Sequence, residues 1–170
     1  MAYAEICADP AVMHWIGGGM IPTQDECAQA IAGIERAWDT LGFGLFATEL
    51  RSSGRLIGFV GLSVPTFLPE ILPAVEVGWR LAHDQWGQGL ATEGARAVLA
   101  FGFETLYLDR VVSIYQVGNE ASRRIMEKLQ MRFMRDTIDS TCGRSVRVYE
   151  ITRSDWQDAQ AELRIATTDG

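Results

Sequence analysis

A glycine-rich stretch is the part of this 170-residue sequence that says most about chemistry. It runs Trp86-Gly87-Gln88-Gly89-Leu90-Ala91-Thr92, between a predicted strand and a predicted helix. Small residues let the main chain approach an anion, and the free amides of a first helical turn favour negative charge. The stretch has neither the Lys of a P-loop nor the spacing of a dinucleotide motif. It predicts a phosphate-binding loop or, in a plainer interpretation, a tight turn that packs a helix on a sheet.

The histidines and cysteines are too few and too scattered for metal or triad chemistry. His14 and His83 are the only histidines, and neither has a carboxylate or Cys partner at ligand spacing. Cys7, Cys27 and Cys142 form no CxxC pattern. We therefore expect no metal site and no disulfide framework.

The elements that must position the loop follow from hydrophobic periodicity and turn residues. A capping box at Thr23 and Glu26 starts one helix, and Gly42 ends it. Helices are predicted over 1–16 with a break at Pro10, over 23–42, from 90 to 106 and over 119–129. Strands are predicted over 45–50, 56–62, 74–81, 111–116 and 146–151.

This order of elements predicts an α+β fold with a mixed, mainly antiparallel sheet. Residues 45–62 read as a hairpin, whereas 74–116 read as a right-handed strand–helix–strand unit with parallel strands. A chain of 170 residues is long enough to bury a core without staples. We expect one domain over 1–170.

Charge and hydropathy narrow the classes of partner. The formal net charge is -7 and the composition is 48% hydrophobic. Nonspecific nucleic-acid binding depends on an excess of Lys and Arg, so a nucleic-acid partner is not expected. No apolar run approaches a membrane span and no signal peptide begins the sequence, so we expect no membrane partner and a cytoplasmic location.

Three motifs in succession resemble the GNAT superfamily of acetyl-CoA-dependent N-acetyltransferases, in particular the branch typified by RimJ and RimL. They are Glu76-Val77-Gly78-Trp79, then Trp86 to Glu93, then Val117-Gly118-Asn119-Glu120-Ala121-Ser122 with Leu129-Gln130-Met131. The resemblance covers about 2–156. It implies a central sheet with helices on both faces, and acetyl-CoA as co-substrate.

The resemblance also assigns cofactor-binding residues. Amides around the loop would hold the pyrophosphate, main-chain groups of the preceding strand would pair with the pantetheine arm, and an Asn after the next strand would bond that arm. The residues are Val77, Gly78, Trp79, Trp86, Gly87, Gln88, Gly89, Leu90, Ala91, Thr92, Asn119 and Ser122. For Asn119 alone, a helix N-cap is an equally simple interpretation.

The implied reaction is direct transfer to a primary amine in a ternary complex. Glu76 is the candidate base, alone or through a water, and Ser122 is the candidate acid for the departing thiolate. The plainer interpretations are an ordinary strand Glu and a solvated first-turn Ser. Tyr107 and Tyr115 are alternative acids that are better explained as packing residues.

The sequence departs from the family pattern at three places. Trp86 stands where the first loop residue is usually Arg or Gln, and Gln130 stands where Gly usually ends the helix in a left-handed conformation. Family members also begin with a strand before the first helix, whereas this sequence begins inside what resembles that helix. The resemblance therefore leaves open whether the sheet has that strand.

Several alternatives remain open at this point. The chain could be a non-catalytic acyl-CoA sensor, or it could use another donor such as succinyl-CoA, for which Arg80 or Arg55 would supply the cation. The acceptor is either a protein N-terminal amine or a small-molecule amine, and Trp15 is the tryptophan expected nearest to it. A homodimer formed through the last strand is also left open.

Overall fold

The structure, a computed structural model, describes residues 2–168, with side chains as far as residue 161. Six strands form one sheet in the order β1-β2-β3-β4-β6-β5. The strands are β1 Leu45–Glu49, β2 Leu56–Ser63, β3 Glu76–Leu81, β4 Arg110–Gln116, β5 Arg132–Asp139 and β6 Arg144–Thr152. The helices are α1 Ala2–Cys7, α2 Pro10–Met13, α3 Gln24–Leu41, α4 Leu90–Ala100, α5 Glu120–Lys128 and α6 Arg153–Thr168.

The predicted pairing of strands is confirmed. The strands β3 and β4 run parallel and are connected through α4, while every other neighbouring pair in the sheet is antiparallel. The mixed, mainly antiparallel α+β fold is therefore the one that the sequence predicts. Within residues 2–168, no helix combines the length and the apolar character that crossing a membrane requires.

Helices cover both faces of the sheet, as alternation along β2 requires. Phe59 packs on one face with Tyr3 and Cys27 of α1 and α3. Its neighbour Val60 packs on the other face in the main core, which includes Ala95 of α4. The two faces therefore serve different helices, with α1 and α3 on one side and α4 on the other.

Local capping signals explain where the helices begin and end. Thr23 Oγ1 accepts a hydrogen bond from the Glu26 amide at 3.2 Å, and Glu26 Oε2 accepts from the Thr23 amide at 2.7 Å, so the predicted capping box is present. Gly42 ends α3 at φ 71°. Gln130 also adopts a left-handed conformation, with φ 60°, so the turn after α5 keeps its shape without Gly.

Three features of the fold differ from the sequence predictions. Both β5 and α6 were missed, and the helix predicted to reach residue 106 changes at Phe101–Thr105 into one π-helical segment. The last strand, β6, pairs with β4 on one side and β5 on the other. Within residues 2–168, both edges of β6 are therefore occupied, so this strand offers no edge for pairing with a partner.

The sheet opens between its two halves. The strands β3 and β4 share one register pair, Glu76 with Val112, whereas β2 and β3 pair over six residues. Beyond that pair, the Ser113 hydroxyl donates to the Val77 carbonyl at 2.9 Å. The two strands then diverge towards α4 and α5, which leaves a cleft between β1-β2-β3 and β4-β6-β5.

Candidate active site

The N-terminus of α4 lies at the outer end of this cleft. Gly87 has φ 76° and Gly89, the residue before the helix, has φ 83°, a conformation that strains any residue with a Cβ. A Cβ built on either glycine would meet nothing within 4 Å, so both face open space. The first-turn amides of α4 thus point to an unobstructed surface that suits an anion.

A first cavity of about 360 Å³ extends from this helix end into the cleft. One wall is α4 and the loop before it, and the opposite wall is α5. Arg124 and Lys128, one turn apart on α5, both line it and supply positive charge. These two cations were not predicted from the sequence, although Ala121, Arg124, Ile125 and Lys128 stand at the spacing of a single helix face.

Most of the residues assigned to cofactor binding do line this first cavity. They are Trp79, Trp86, Gly87, Gly89, Leu90, Ala91, Thr92, Asn119 and Ser122. Gly78 lines a second cavity instead. The Val77 side chain is fully buried in the core. The side-chain amide of Gln88 donates to the Asp84 carbonyl at 3.2 Å. A role for Val77 and Gln88 would therefore have to come from their main chains.

Trp86 keeps a fixed position at the rim of the first cavity. Its indole Nε1 donates to the Leu81 carbonyl at 2.8 Å, and its ring meets the His83 ring edge-on at a centroid distance of 4.7 Å. The residue is 40% exposed. Trp86 thus supplies an apolar wall here, and the positive charge comes from α5.

The second cavity, of about 400 Å³, contains Glu76. Burial raises the pKa of the Glu76 carboxyl to about 8, against the lowering effect of hydrogen bonds from the Ile114 backbone and the Ser63 side chain. The residue is nevertheless only half-buried and borders the cavity. A carboxyl with this pKa, open to a cavity, is suited to exchange protons near neutral pH.

The two cavities share part of their walls, so they meet at the cleft. The shared residues are Trp15, Ile16, Trp79, Arg80, Asn119 and Ser122. Asn119 caps α5, because its Oδ1 accepts from the Ser122 amide at 3.2 Å. The N-cap interpretation of Asn119 is thus confirmed, and the cap holds Ser122 beside both cavities.

A loop over residues 14–19 closes the site from the side of the N-terminal helices. Gln116 Nε2 donates to the Gly17 carbonyl at 2.7 Å. Arg144 Nη1 donates to the His14 carbonyl and to Gln116 Oε1, both at 2.6 Å, and its Nη2 donates to the Gly18 carbonyl at 3.0 Å. This clamp was not predicted from the sequence, and it fixes Trp15 between the two cavities.

The alternative acids and the candidate cations differ in whether they line a cavity. Tyr115 is buried and lines the second cavity, whereas Tyr107 is 71% exposed and lines neither cavity. Arg55 Nη2 donates to both carboxylate oxygens of Asp84, each at 2.7 Å, and this ion pair holds Arg55 at the surface. Arg80 lines both cavities.

Similarity to known proteins identifies the class. A family model described as "Acetyltransferase (GNAT) domain" matches residues 1–132. The chain therefore belongs to the GNAT acetyltransferase family and is an acyltransferase. Its fold, with the sheet opened between two parallel strands, is the fold expected from that membership.

Individual relatives agree with this assignment. The Bacillus subtilis protein YkkB is 30% identical over 125 residues, which cover 74% of this chain and 70% of that one. The FsC-acetyl coenzyme A-N(2)-transacetylase of Aspergillus fumigatus is 31% identical over 159 residues, covering 87% and 67%. A crystal structure of an acetyltransferase from Agrobacterium tumefaciens superposes with a TM-score of 0.71 at 27% identity, covering 87% and 82%.

Proposed function

We propose that this protein transfers an acetyl group from acetyl-CoA to a primary amine by direct attack in a ternary complex. One observation carries the proposal: two cavities meet at the opening between β3 and β4, one reaching the N-terminus of α4 and the other reaching Glu76. A donor and an acceptor entering from different sides would bring their reacting atoms together at that junction.

The lining of the first cavity suits coenzyme A in charge and in its hydrogen-bonding groups. The amides of Leu90, Ala91 and Thr92, together with Arg124 and Lys128, would bind the phosphates. Main-chain groups of β3 beyond Glu76 have no register partner in β4, so a pantetheine arm can pair with them as an added strand does. Asn119 and Ser122 lie on the α5 side of that path.

Two side chains would handle the protons. The ionised Glu76 carboxylate accepts the proton that the amine loses as its nitrogen bonds to the thioester carbon, directly or through one water. Ser122 donates its hydroxyl proton to the thiolate as the carbon–sulfur bond breaks, and solvent reprotonates the serine. Tyr115, which lines the second cavity, is the remaining candidate for this acid.

The proposal extends to the acceptor, the domain extent, the location and the oligomeric state. The RimJ/RimL-like branch would make the acceptor a protein N-terminal amine, and the alternative is a small-molecule amine in the second cavity. A single domain over 1–170 and a cytoplasmic location accompany either acceptor. A homodimer, if formed, would use a surface other than the edge of β6.

The test is calorimetric titration of the purified protein with acetyl-CoA, followed by thiol release against a panel of amines and N-terminal peptides. We expect binding, and thiol release that depends on the amine. Binding with no release from any amine would favour an acyl-CoA sensor. The absence of binding by a folded sample would overturn the proposal.

A further inference from the structure

Arg80 is a cation in the site that the proposed chemistry does not use. It lies on β3, on the same face as Glu76, and it lines both cavities near their junction. Its guanidinium lies over the Phe59 ring, 5.3 Å from the centroid. Strand β2 and helix α1 therefore hold the guanidinium in place beside the site.

Among the residues whose side chains are described, none is a counter-ion to Arg80. In the part of the chain whose side chains are described, it forms no ion pair, whereas the arginines at 55, 110, 123, 132, 147 and 153 each pair with a carboxylate. Arg80 is half-buried, and taking an unpaired charge partly out of water is costly. The arginines at 36, 51, 96, 124, 135 and 144 also show no ion pair in that part of the chain, but among the unpaired arginines only Arg80 lines both cavities.

The contacts that Arg80 does make leave its charge uncompensated. Nη1 donates to the Tyr3 hydroxyl at 2.8 Å and to Cys7 Sγ at 3.5 Å. Burial raises the pKa of Tyr3 to about 12, against the lowering effect of Arg80, so the phenol stays neutral. Nε is shut off from solvent and donates to no acceptor among the described residues.

The acidic groups of the second cavity do not neutralise Arg80 either. Glu76 stands four residues away on the strand, about 13 Å at the rise of an extended chain, and burial raises its pKa. Burial also raises the pKa of Asp139, but hydrogen bonds from Thr141 and Cys142 lower it below its usual value. That carboxylate binds its own turn, with Thr141 N at 2.8 Å and Thr141 Oγ1 at 2.6 Å.

We propose that Arg80 binds a carboxylate of the substrate at the junction of the two cavities. This inference rests on the proposed function and narrows its substrate class. The carboxylate has two chemical sources, either an acceptor that carries both an amine and a carboxylate, or a dicarboxylic acyl group on the thioester. Arg80 would act as a specificity residue, with no part in proton transfer.

The test compares matched ligands that differ only in the carboxylate. The acceptor arm measures calorimetric binding of alanine, lysine and a dipeptide, each as free acid and as amide, to protein saturated with coenzyme A. The donor arm compares succinyl-CoA with propionyl-CoA, whose acyl group lacks only the terminal carboxylate. We expect the wild type to favour the carboxylate by about tenfold or more in one arm, because charge-assisted hydrogen bonds contribute that much.

Variants of Arg80 and Tyr3 then test whether the preference depends on the charge of Arg80. Arg80→Gln should abolish the preference and Arg80→Lys should keep part of it. Tyr3→Phe is the matched control, because it removes the hydrogen bond to Nη1 but keeps the charge. A preference that persists in Arg80→Gln, or no preference in either arm of the wild type, would overturn the inference alone. Failure of acetyl-CoA to bind the wild type would overturn the proposed function and this inference with it.

Discussion

Glu76 stands opposite Val112 in the register pair that joins β3 to β4, at the point where the two strands begin to diverge. The position accounts for both properties of the carboxyl. The pairing and the packing around it remove water, which raises its pKa to about 8, and the divergence leaves it open to a cavity.

The Glu76→Gln variant is expected to bind acetyl-CoA normally and to lose turnover by about a hundredfold or more, the usual contribution of a positioned base. Because the ionised form is the base, the ratio of wild-type to variant rate should rise with pH and level off above about 8. Steady-state rates from pH 6 to 9 measure it, and the ratio cancels ionisation of the acceptor amine. Equal rates at every pH would refute the assignment.

Glu76→Gln should also change stability in a defined direction. The folded state keeps its proton up to about pH 8, whereas the unfolded carboxyl loses it near its usual value of 4.5. Wild-type stability should therefore fall as pH rises through this window. In denaturant unfolding, the free energy of unfolding of the variant minus that of the wild type should be larger at pH 8 than at pH 4 by roughly 1–3 kcal/mol. If the difference in the free energy of unfolding between variant and wild type did not change with pH, the raised pKa of Glu76 would be contradicted.

Gly89→Glu should abolish acetyl-CoA binding, because it places an anion at the helix end that would receive the phosphates. Gly42→Glu is a matched control. Gly42 also has a left-handed φ, of 71°, and open space around its Cβ position, but it does not line either cavity. Both variants should lose similar stability. Similar loss of acetyl-CoA affinity in the two, measured by calorimetry, would argue against the assignment of α4.

Lys128 offers a direct chemical test, because it is the only lysine in the sequence. If it faces the phosphates, acetyl-CoA should protect it from an amine-reactive reagent, while the terminal amine serves as the internal reference. Peptide mass spectrometry measures the labelling rates, and a several-fold slowing at Lys128 is expected. Unchanged labelling at saturating acetyl-CoA would mean that the phosphates bind elsewhere.

Arg144→Gln should raise the acceptor KM several-fold and leave acetyl-CoA affinity nearly unchanged. The reason is that Arg144 holds the loop over 14–19 through the His14 and Gly18 carbonyls. Arg132→Gln, a change at an exposed arginine paired with Asp155, serves as the control. Equal effects of the two variants on the acceptor KM would show that the loop contacts do not matter.

Local signals made much of this structure predictable. The capping box at Thr23 and Glu26 and the glycines of the loop before α4 are decided by nearby residues, and both appear as predicted. Strand β5, in contrast, was missed. It is mostly exposed and has a register shift between Phe133 and Arg135, which breaks the alternation that identifies a strand.

The candidate site was only partly predictable, because much of it is non-local. Its motif residues were found, but the opening of the sheet depends on β3 and β4 losing their pairing after Glu76, which neither segment encodes alone. The clamp of Arg144 on His14 joins residues 130 positions apart. Nothing in either stretch of sequence indicates that contact.

The clamp has a consequence for how this site can diverge. The loop over 14–19 is held by its own carbonyls, which every residue type provides, and the donors come from Gln116 and Arg144. Side chains at positions 14, 15, 16 and 18 can therefore be exchanged without loss of the attachment, whereas Gly17 and Gly19 have φ of 50° and 80°, and a Cβ at Gly19 would meet Arg144 Nη2 at 3.1 Å. Changes of acceptor preference can thus accumulate at these four positions, while the phosphate-binding end of the molecule is left unchanged.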